Sequence, residues 1–235
     1  MIQFYSPDIE NSLSLPPDES LHCSRVLRKK EGDEIIVVDG SGYSYRCAVT
    51  KADSRKTEVE IIEKVPVDKT WKNHIRLVVA PTKNADRMSW LVEKAVEIGV
   101  DEIVFVDCDR NERHKLSVDR LRRNAVSAMK QSLKARMPEI TELVRLKDFI
   151  SRNREGEKYF GYCDEESEKV DFANSYSKGK DVTIVIGPEG DFSRDEVDSL
   201  KKAGYVPVTF GQSRLRTETA ALFGLQAVHI LNSLN

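Results

Sequence analysis

The order of apolar and polar positions divides the chain into two stretches. Up to about residue 70 the pattern is short and β-like. Glu34-Ile35-Ile36-Val37-Val38-Asp39 is an apolar run that stops at the turn sequence Gly40-Ser41-Gly42. Tyr43 to Thr50 alternates and reads as the returning strand. Thr57 to Glu63 reads as a third, with charged residues on one face. Short strands joined by tight turns predict a small barrel. Ahead of them, Pro17 to Arg28 predicts a short helix that presents His22, Arg25 and Arg28. Pro66 to Lys72 interrupts the strand pattern and reads as a linker.

Beyond the linker the period changes. His74 to Ala80 is a β-rich run. Ala85 to Ile98 has helical spacing, with Leu91, Ala95 and Ile98 on one side and Gly99 as its C-cap. Glu102 to Val106 is a strand, and Val118 to Lys134 a helix with Ser117 as N-cap candidate. Lys158 to Tyr162 and Val182 to Ile186 are short strands of the buried type. Ser193 to Ala203 is a helix with Ser193 and Glu196 in capping-box register. Thr217 to Leu234 is a last helix of apolar and small residues. This alternation predicts an α/β domain with a mainly parallel sheet. The expected domains are 1–70 and 74–235.

Composition narrows the function classes. The 235 residues are 40% apolar, enough to build cores, and no run approaches the roughly 18 apolar residues of a membrane span. Met1 to Pro7 has no basic segment followed by an apolar one, so no secretory signal is expected. Cys23, Cys47, Cys108 and Cys163 are widely separated, and the four histidines show no ligand spacing. No metal site is expected, and the scattered thiols suit a reducing, cytoplasmic setting. The net charge of −2 hides segregation. Residues 22–30 hold four bases and no acid. Residues 110–136 hold nine bases against two acids, and residues 155–198 five against thirteen. Two basic zones, one per domain, could form one phosphate-binding track; the plain alternative is a solvated helix face at Arg120–Arg123.

Two segments could carry chemistry. Ile184 to Ser193 runs from a buried strand through Gly187-Pro188-Glu189-Gly190 into a helix start. Phe210 to Ala221 runs from a strand end through Gly211 and a polar loop to a long helix, with Arg214 and Arg216 before Thr217, a candidate N-cap. Ligands of open α/β sheets bind beyond the carboxyl ends of strands, so the two loops point to one pocket. Neither loop is a phosphate-binding GxxxxGK[ST], a GxGxxG fingerprint or a GxSxG elbow.

The motifs together resemble the RsmE family of 16S ribosomal RNA (uracil-N3)-methyltransferases, of the SPOUT class. The resemblance rests on His22 with Arg25-Val26-Leu27-Arg28 and on Val38-Asp39-Gly40. It continues through Lys83, Arg87, Glu93 to Val100, Glu112-Arg113 and Gln131 with Arg136 to Ile140. Gly187-Pro188-Glu189-Gly190 and Leu215-Arg216-Thr217-Glu218-Thr219-Ala220 complete it. It implies an α/β fold: a SPOUT-type trefoil-knotted methyltransferase domain with a small N-terminal PUA-like β-barrel. It implies S-adenosylmethionine as cofactor, held by Tyr162, Cys163, Ile186, Gly187, Glu189, Gly190, Phe210, Gly211, Leu215, Arg216 and Thr217. It also implies a homodimer acting on 16S ribosomal RNA in the small ribosomal subunit. The implied RNA-binding residues are His22, Arg25, Arg28, Lys83, Arg87, Arg113, Gln131, Lys134 and Arg136. The chain departs from the family pattern at Lys134, where many relatives carry arginine, and at Asp191, where many carry glycine.

On this reading Arg216 stabilises the uridinate that N3 must become before it attacks a sulfonium methyl. Glu218 is a base or an anchor for Arg216. The anchor is favoured, because a carboxylate beside an arginine is a weak base. Competing readings are a related methyltransferase acting on another RNA or position, a non-catalytic RNA-binding assembly protein, and an α/β enzyme for a small anionic metabolite, which leaves the paired basic windows unexplained. A small-molecule pocket argues against the assembly protein.

Overall fold

A computed structural model describes residues 2–152, 155–163 and 168–234. The acidic residues 164–166 counted above lie outside this range. The chain forms two compact units. The first joins Met1–Thr70 to Ala125–Met137, and the second joins Trp71–Asn124 to Pro138–Asn235. Division at residue 70 is therefore incomplete, because a segment from the middle of the expected second domain packs with the first.

The first unit contains β1 (Gln3–Tyr5), α1 (Ile9–Ser12), α2 (Pro17–Leu21), β2 (Glu34–Val38), β3 (Tyr43–Lys51) and β4 (Glu58–Pro66). The strands form one sheet in the order β1-β2-β3-β4, parallel at β1–β2 and antiparallel elsewhere. Where the sequence predicts a small barrel, the described strands form a four-stranded sheet whose far edge also takes the N-terminal segment. After β1 the chain crosses to the far edge, where the Val59 N–H donates to Leu13 O at 2.9 Å and the Leu15 N–H to Thr57 O at 2.9 Å. The Ser6 hydroxyl reaches back to Ser14 O at 3.1 Å. The N-terminal segment thus curls the sheet around Phe4, Ile35, Val37, Tyr45, Cys47 and Val59.

Residues 17–28 are not one helix: α2 passes into a single π-helical turn, His22–Val26, and Arg28 takes a left-handed φ of 54°. Asp39 organises the Gly40–Gly42 turn. Its carboxylate accepts from the Ser41 N–H at 2.8 Å, the Ser41 hydroxyl at 2.6 Å and the Tyr45 hydroxyl at 3.2 Å. The 125–137 segment docks there: the Met137 N–H donates to Gly40 O at 2.9 Å and the Gly42 N–H to Ala135 O at 3.0 Å. Lys130 pairs with Glu19 at 2.5 Å.

The second unit contains β5 (Ile75–Val79), α3 (Ala85–Ile98) and β6 (Glu102–Asp107). Next come α4 (Val118–Gln131), which ends in the first unit, then β7 (Glu139–Ile140), β8 (Val144–Arg145) and α5 (Leu146–Ile150). After these come β9 (Glu157–Gly161), β10 (Val170–Asp171), α6 (Phe172–Ser175), β11 (Val182–Ile186), α7 (Arg194–Lys202), β12 (Val206–Thr209) and α8 (Thr217–Ser233). The helix expected to reach Lys134 stops at Gln131, where Leu133 turns left-handed.

Its sheet runs β10-β12-β9-β11-β5-β6-β7, with β8 also on β6, and every pairing is parallel. β5 and β11 are buried at every residue, which is why they read as continuous apolar runs rather than alternating ones. α3 and α8 pack on each other, and α8 also packs on β5 and β11. α5 and α7 cover a core of Val78, Val104, Val106, Phe160, Val185 and Phe192. The capping box of Ser193 and Glu196 forms as its spacing predicts. Among the described residues, no helix is long and apolar enough to cross a membrane and no group of side chains could hold a metal ion.

Candidate active site

β12, β9 and β11 are neighbours in the sheet, and all three end at the same edge, at Thr209, Gly161 and Ile186. Beyond these ends lies a cavity of about 350 Å³. Its wall includes nine of the eleven residues expected to bind a cofactor: Tyr162, Cys163, Ile186, Gly187, Glu189, Phe210, Leu215, Arg216 and Thr217. The other two sit elsewhere. Gly190 faces the Arg110 side chain, and Arg110 donates to Gly190 O at 3.1 Å. Gly211, with φ of 100°, lines an adjoining depression with Lys169 and Gln212. Sequence reading missed Gly161, Val208 and Thr209 of the wall. A strand end before a glycine loop was the available signal for Val208 and Thr209.

The two glycine loops are joined directly. Thr217 was expected to cap α8, but the N-cap position belongs to Arg216, and Thr217 is the first helical residue. Its buried hydroxyl donates instead to Gly187 O at 3.0 Å. Gly187 has a second task, since a Cβ there would come within 2.9 Å of the Phe192 ring. Phe210 sits between two glycines. A Cβ on Gly161 would lie 3.1 Å from its ring, and a Cβ on Gly224 of α8 would lie 3.0 Å away. Nothing in the local sequence marks Gly224 for this role.

Asp191 keeps the conformation that a glycine would take there, with φ of 61°. Aspartate tolerates this region better than most residues. The replacement also adds a contact, because the Cys163 N–H donates to the Asp191 carboxylate at 3.2 Å and so ties the end of β9 to the turn. Burial, together with the nearby Asp191 carboxylate, pushes the Cys163 thiol above its ordinary pKa.

Arg216 and Glu218 are not paired. Arg216 is exposed on the cavity wall; its carbonyl accepts from the Ala220 N–H at 2.8 Å, but its guanidinium has no hydrogen bond or ion pair among the described residues. Glu218 is 6% exposed, and its Oε1 lies 3.5 Å from Nε of Arg87, while Oε2 is buried without a partner among the described residues. The expected Glu218–Arg216 anchor is replaced by Glu218–Arg87, because helical geometry turns residue 218 toward α3 and leaves residue 216 at the mouth of the cavity.

The expected RNA contacts divide between the units. His22, Arg25, Arg28, Gln131, Lys134 and Arg136 belong to the first, and Lys83, Arg87 and Arg113 to the second. Arg25, Arg28, Gln131 and Arg136 are exposed. His22 packs edge-on to Phe4, with ring centroids 6.0 Å apart. The Arg136 guanidinium lies against Gly42, where a side chain would collide with it. Several bases of the 110–136 window are engaged within the protein: Arg120 with Asp86 at 2.8 Å, and Arg122 with Asp119 and Glu142 at 3.2 and 3.1 Å. Arg120 and Arg122 thus carry their charge in ion pairs within the fold. Lys83 and Arg113 meet each other. Arg113 donates to Lys83 O through Nε at 3.0 Å and Nη2 at 2.8 Å, and the Lys83 N–H donates to both Glu189 oxygens at 3.3 Å.

Comparison with known proteins gives this geometry a context. Residues 69–229 match the family model of an RNA methyltransferase domain, and residues 15–62 match that of an RNA methyltransferase PUA domain. The chain is 30% identical to ribosomal RNA small subunit methyltransferase E of Aquifex aeolicus, covering 93% of this chain and 95% of that protein. It is 25% identical to the protein of the same name from Bacillus subtilis, covering 92% and 89%. A crystal structure of a probable rRNA-methyltransferase from Porphyromonas gingivalis superposes with a TM-score of 0.94 at 42% identity, over 99% of each chain. The ribosomal RNA small subunit methyltransferase E of Neisseria gonorrhoeae, solved bound to S-adenosyl methionine, shares the fold at a TM-score of 0.84 and 24% identity over 98% of each chain. With an α/β methyltransferase domain and a PUA-like domain in one chain, the protein belongs to the ribosomal RNA small subunit methyltransferase E family.

Proposed function

We propose that the protein transfers the methyl group of S-adenosylmethionine to N3 of a uridine in the 16S ribosomal RNA of the small subunit. The observation that carries this reading is the unpartnered Arg216 guanidinium on the wall of a strand-end cavity, in a chain of this family. The cavity's size falls in the range of small-molecule sites, about 300–1,000 Å³. Ile186, Val208, Phe210, Leu215 and Ala220 offer apolar surface for an aromatic base, and Glu189, Thr209 and Ser213 offer polar atoms for hydroxyl groups. When bound, the cofactor supplies an electrophilic methyl group. The protein's own work is to hold the uracil and favour loss of its N3 proton. A fixed cation beside a ring oxygen does so by stabilising the anion, and Arg216 takes this role. Glu218 does not take the proton on this reading; buried against Arg87, it holds the start of α8 toward α3. Arg25, Arg28, Lys134 and Arg136 hold RNA phosphates, with His22 and Gln131 beside them.

The reading extends to the SPOUT class and its trefoil knot. It is supported by the strand order β12-β9-β11-β5 and by a loop, Phe210 to Arg216, that runs over the strand ends into α8. A homodimer is supported by apolar side chains left outward on the packed pair α3 and α8: Trp90, Phe223 and Ile230, each about half exposed. The setting is cytoplasmic, where ribosomal subunits are. Incubation with small subunits lacking the modification, followed by nucleoside mass spectrometry, tests the assignment. The expected product is 3-methyluridine in 16S ribosomal RNA. Methylation of another nucleoside, or none, would refute it.

A further inference from the structure

Arg113 comes from the loop after β6 and does not line the cavity, yet it is joined to it through one intermediate residue. Pro81-Thr82-Lys83-Asn84 carries β5 into α3, and both backbone polar groups of Lys83 are taken. Its N–H is held by Glu189 on the cavity wall, at 3.3 Å to each oxygen. Its carbonyl is held by Arg113 through two parallel N–H groups, at 3.0 and 2.8 Å. The Lys83 ammonium also pairs with Glu112, the residue before Arg113, at 3.0 Å. One turn further on, Arg87 pairs with Glu218. The segment 83–87 is thus fastened at one end to the Gly187–Gly190 loop of the cavity wall and at the other to the start of α8.

We infer that Arg113 is a positioning residue for the methyl-transfer site: by gripping the Lys83 carbonyl it fixes the N–H that holds Glu189 against the cavity. This rests on the proposed function, and it reassigns Arg113 from the expected phosphate contact. The carbonyl occupies the Nε–Nη2 edge of the guanidinium, so that edge is not available to a phosphate while the grip holds. A lysine cannot reproduce that fork, although it preserves the charge.

Arg113→Ala and Arg113→Lys separate the two roles. The readouts are S-adenosylmethionine affinity by calorimetry, kcat, and the salt dependence of the apparent KM for small subunits. A positioning role predicts that both variants weaken cofactor binding about tenfold, as expected for a lost charge-assisted hydrogen-bond pair. It also predicts a lower kcat and an unchanged salt slope. Arg113→Ala combined with Glu189→Ala should be no worse than the poorer single variant, because both act through Lys83. If Arg113→Lys binds cofactor like the parent, or Arg113→Ala lowers the salt slope by about one with cofactor affinity intact, the inference is wrong. Additive losses in the double variant would also overturn it. Should the parent protein bind cofactor without methylating small subunits, the functional proposal fails, while the affinity arm still decides the role of Arg113.

Discussion

Arg216 and Glu218 stand two positions apart at the start of one helix and meet opposite surroundings. The exposed guanidinium costs the fold nothing to lose, whereas the buried carboxylate leaves Arg87 behind. Arg216→Ala should lower kcat by about 10²–10³-fold, the range for a removed electrostatic donor, with thermal stability near that of the parent. Glu218→Ala and Arg87→Ala should each cost about 1–3 kcal/mol in urea unfolding, and the double variant less than their sum. Cys163 offers a direct reporter of the cavity, being exposed where the other three cysteines are buried. Its raised thiol pKa predicts alkylation slower than that of a free thiol at neutral pH, rising with pH. Saturating cofactor should slow it further; mass spectrometry of the alkylated peptide would show unchanged labelling if the cavity does not bind cofactor. The two glycine loops were legible because glycine between a strand and a helix start has few other uses. The Glu218–Arg87 pair was not, because it joins residues 131 positions apart that no local pattern couples.

At the scale of elements, the clearest signals came from long periodic segments. α3, β11 and the capping box of α7 stand where the pattern puts them. The two-residue strands β7, β8 and β10 left no trace, being shorter than any period can register. The π turn at His22–Val26 was read as ordinary helix, since hydrophobic spacing does not distinguish the two over one turn. α8 supplies a test of element packing. Gly224→Ala gains about 1 kcal/mol of helix propensity, yet its methyl group would lie 3.0 Å from the Phe210 ring, so that ring of the cavity wall must give by a few tenths of an ångström. The expected outcome is a several-fold weaker cofactor affinity with overall stability changed by less than about 2 kcal/mol. Cofactor titration and denaturation of the same variant would decide it. The Asp39 turn gives a pH test. Burial raises its carboxyl pKa, but the hydrogen bonds from Ser41, Tyr43 and Tyr45 outweigh burial and hold it below the ordinary 3.8. A depressed native pKa means stability present above the unfolded value and lost as pH falls through the native one. Asp39→Asn should therefore lower the thermal midpoint at pH 7. The deficit should shrink below about pH 4, and a deficit independent of pH would contradict the assignment.

At the scale of the whole molecule, the linker near residue 70 was visible, but the membership of Ala125–Met137 was not. Its attachment consists of backbone hydrogen bonds to Gly40 and Gly42 and an ion pair from Lys130 to Glu19, none of which has a sequence period. A fragment of residues 1–70 should accordingly be less stable than the same unit within the full chain, with amide exchange fastest around the Gly40–Gly42 turn. Exchange as slow as in the intact protein would show that the segment contributes nothing there. The charge segregation was legible as well. Its meaning was only half so, because Arg120 and Arg122 spend their charge within the fold while Arg25, Arg28 and Arg136 face outward.

The cavity wall has a temporal consequence. Its residues run from Gly161 to Ala220, on three strands that are neighbours in space but not in sequence. Parallel pairings of this kind are non-local and form slowly. On the proposed assignment, α8 must leave the ribosome before this cavity can retain a cofactor. A nascent chain arrested short of Thr217 lacks the hydroxyl that joins the two loops. On that assignment, cofactor can be held at this wall only once the chain through Thr217 has emerged and folded.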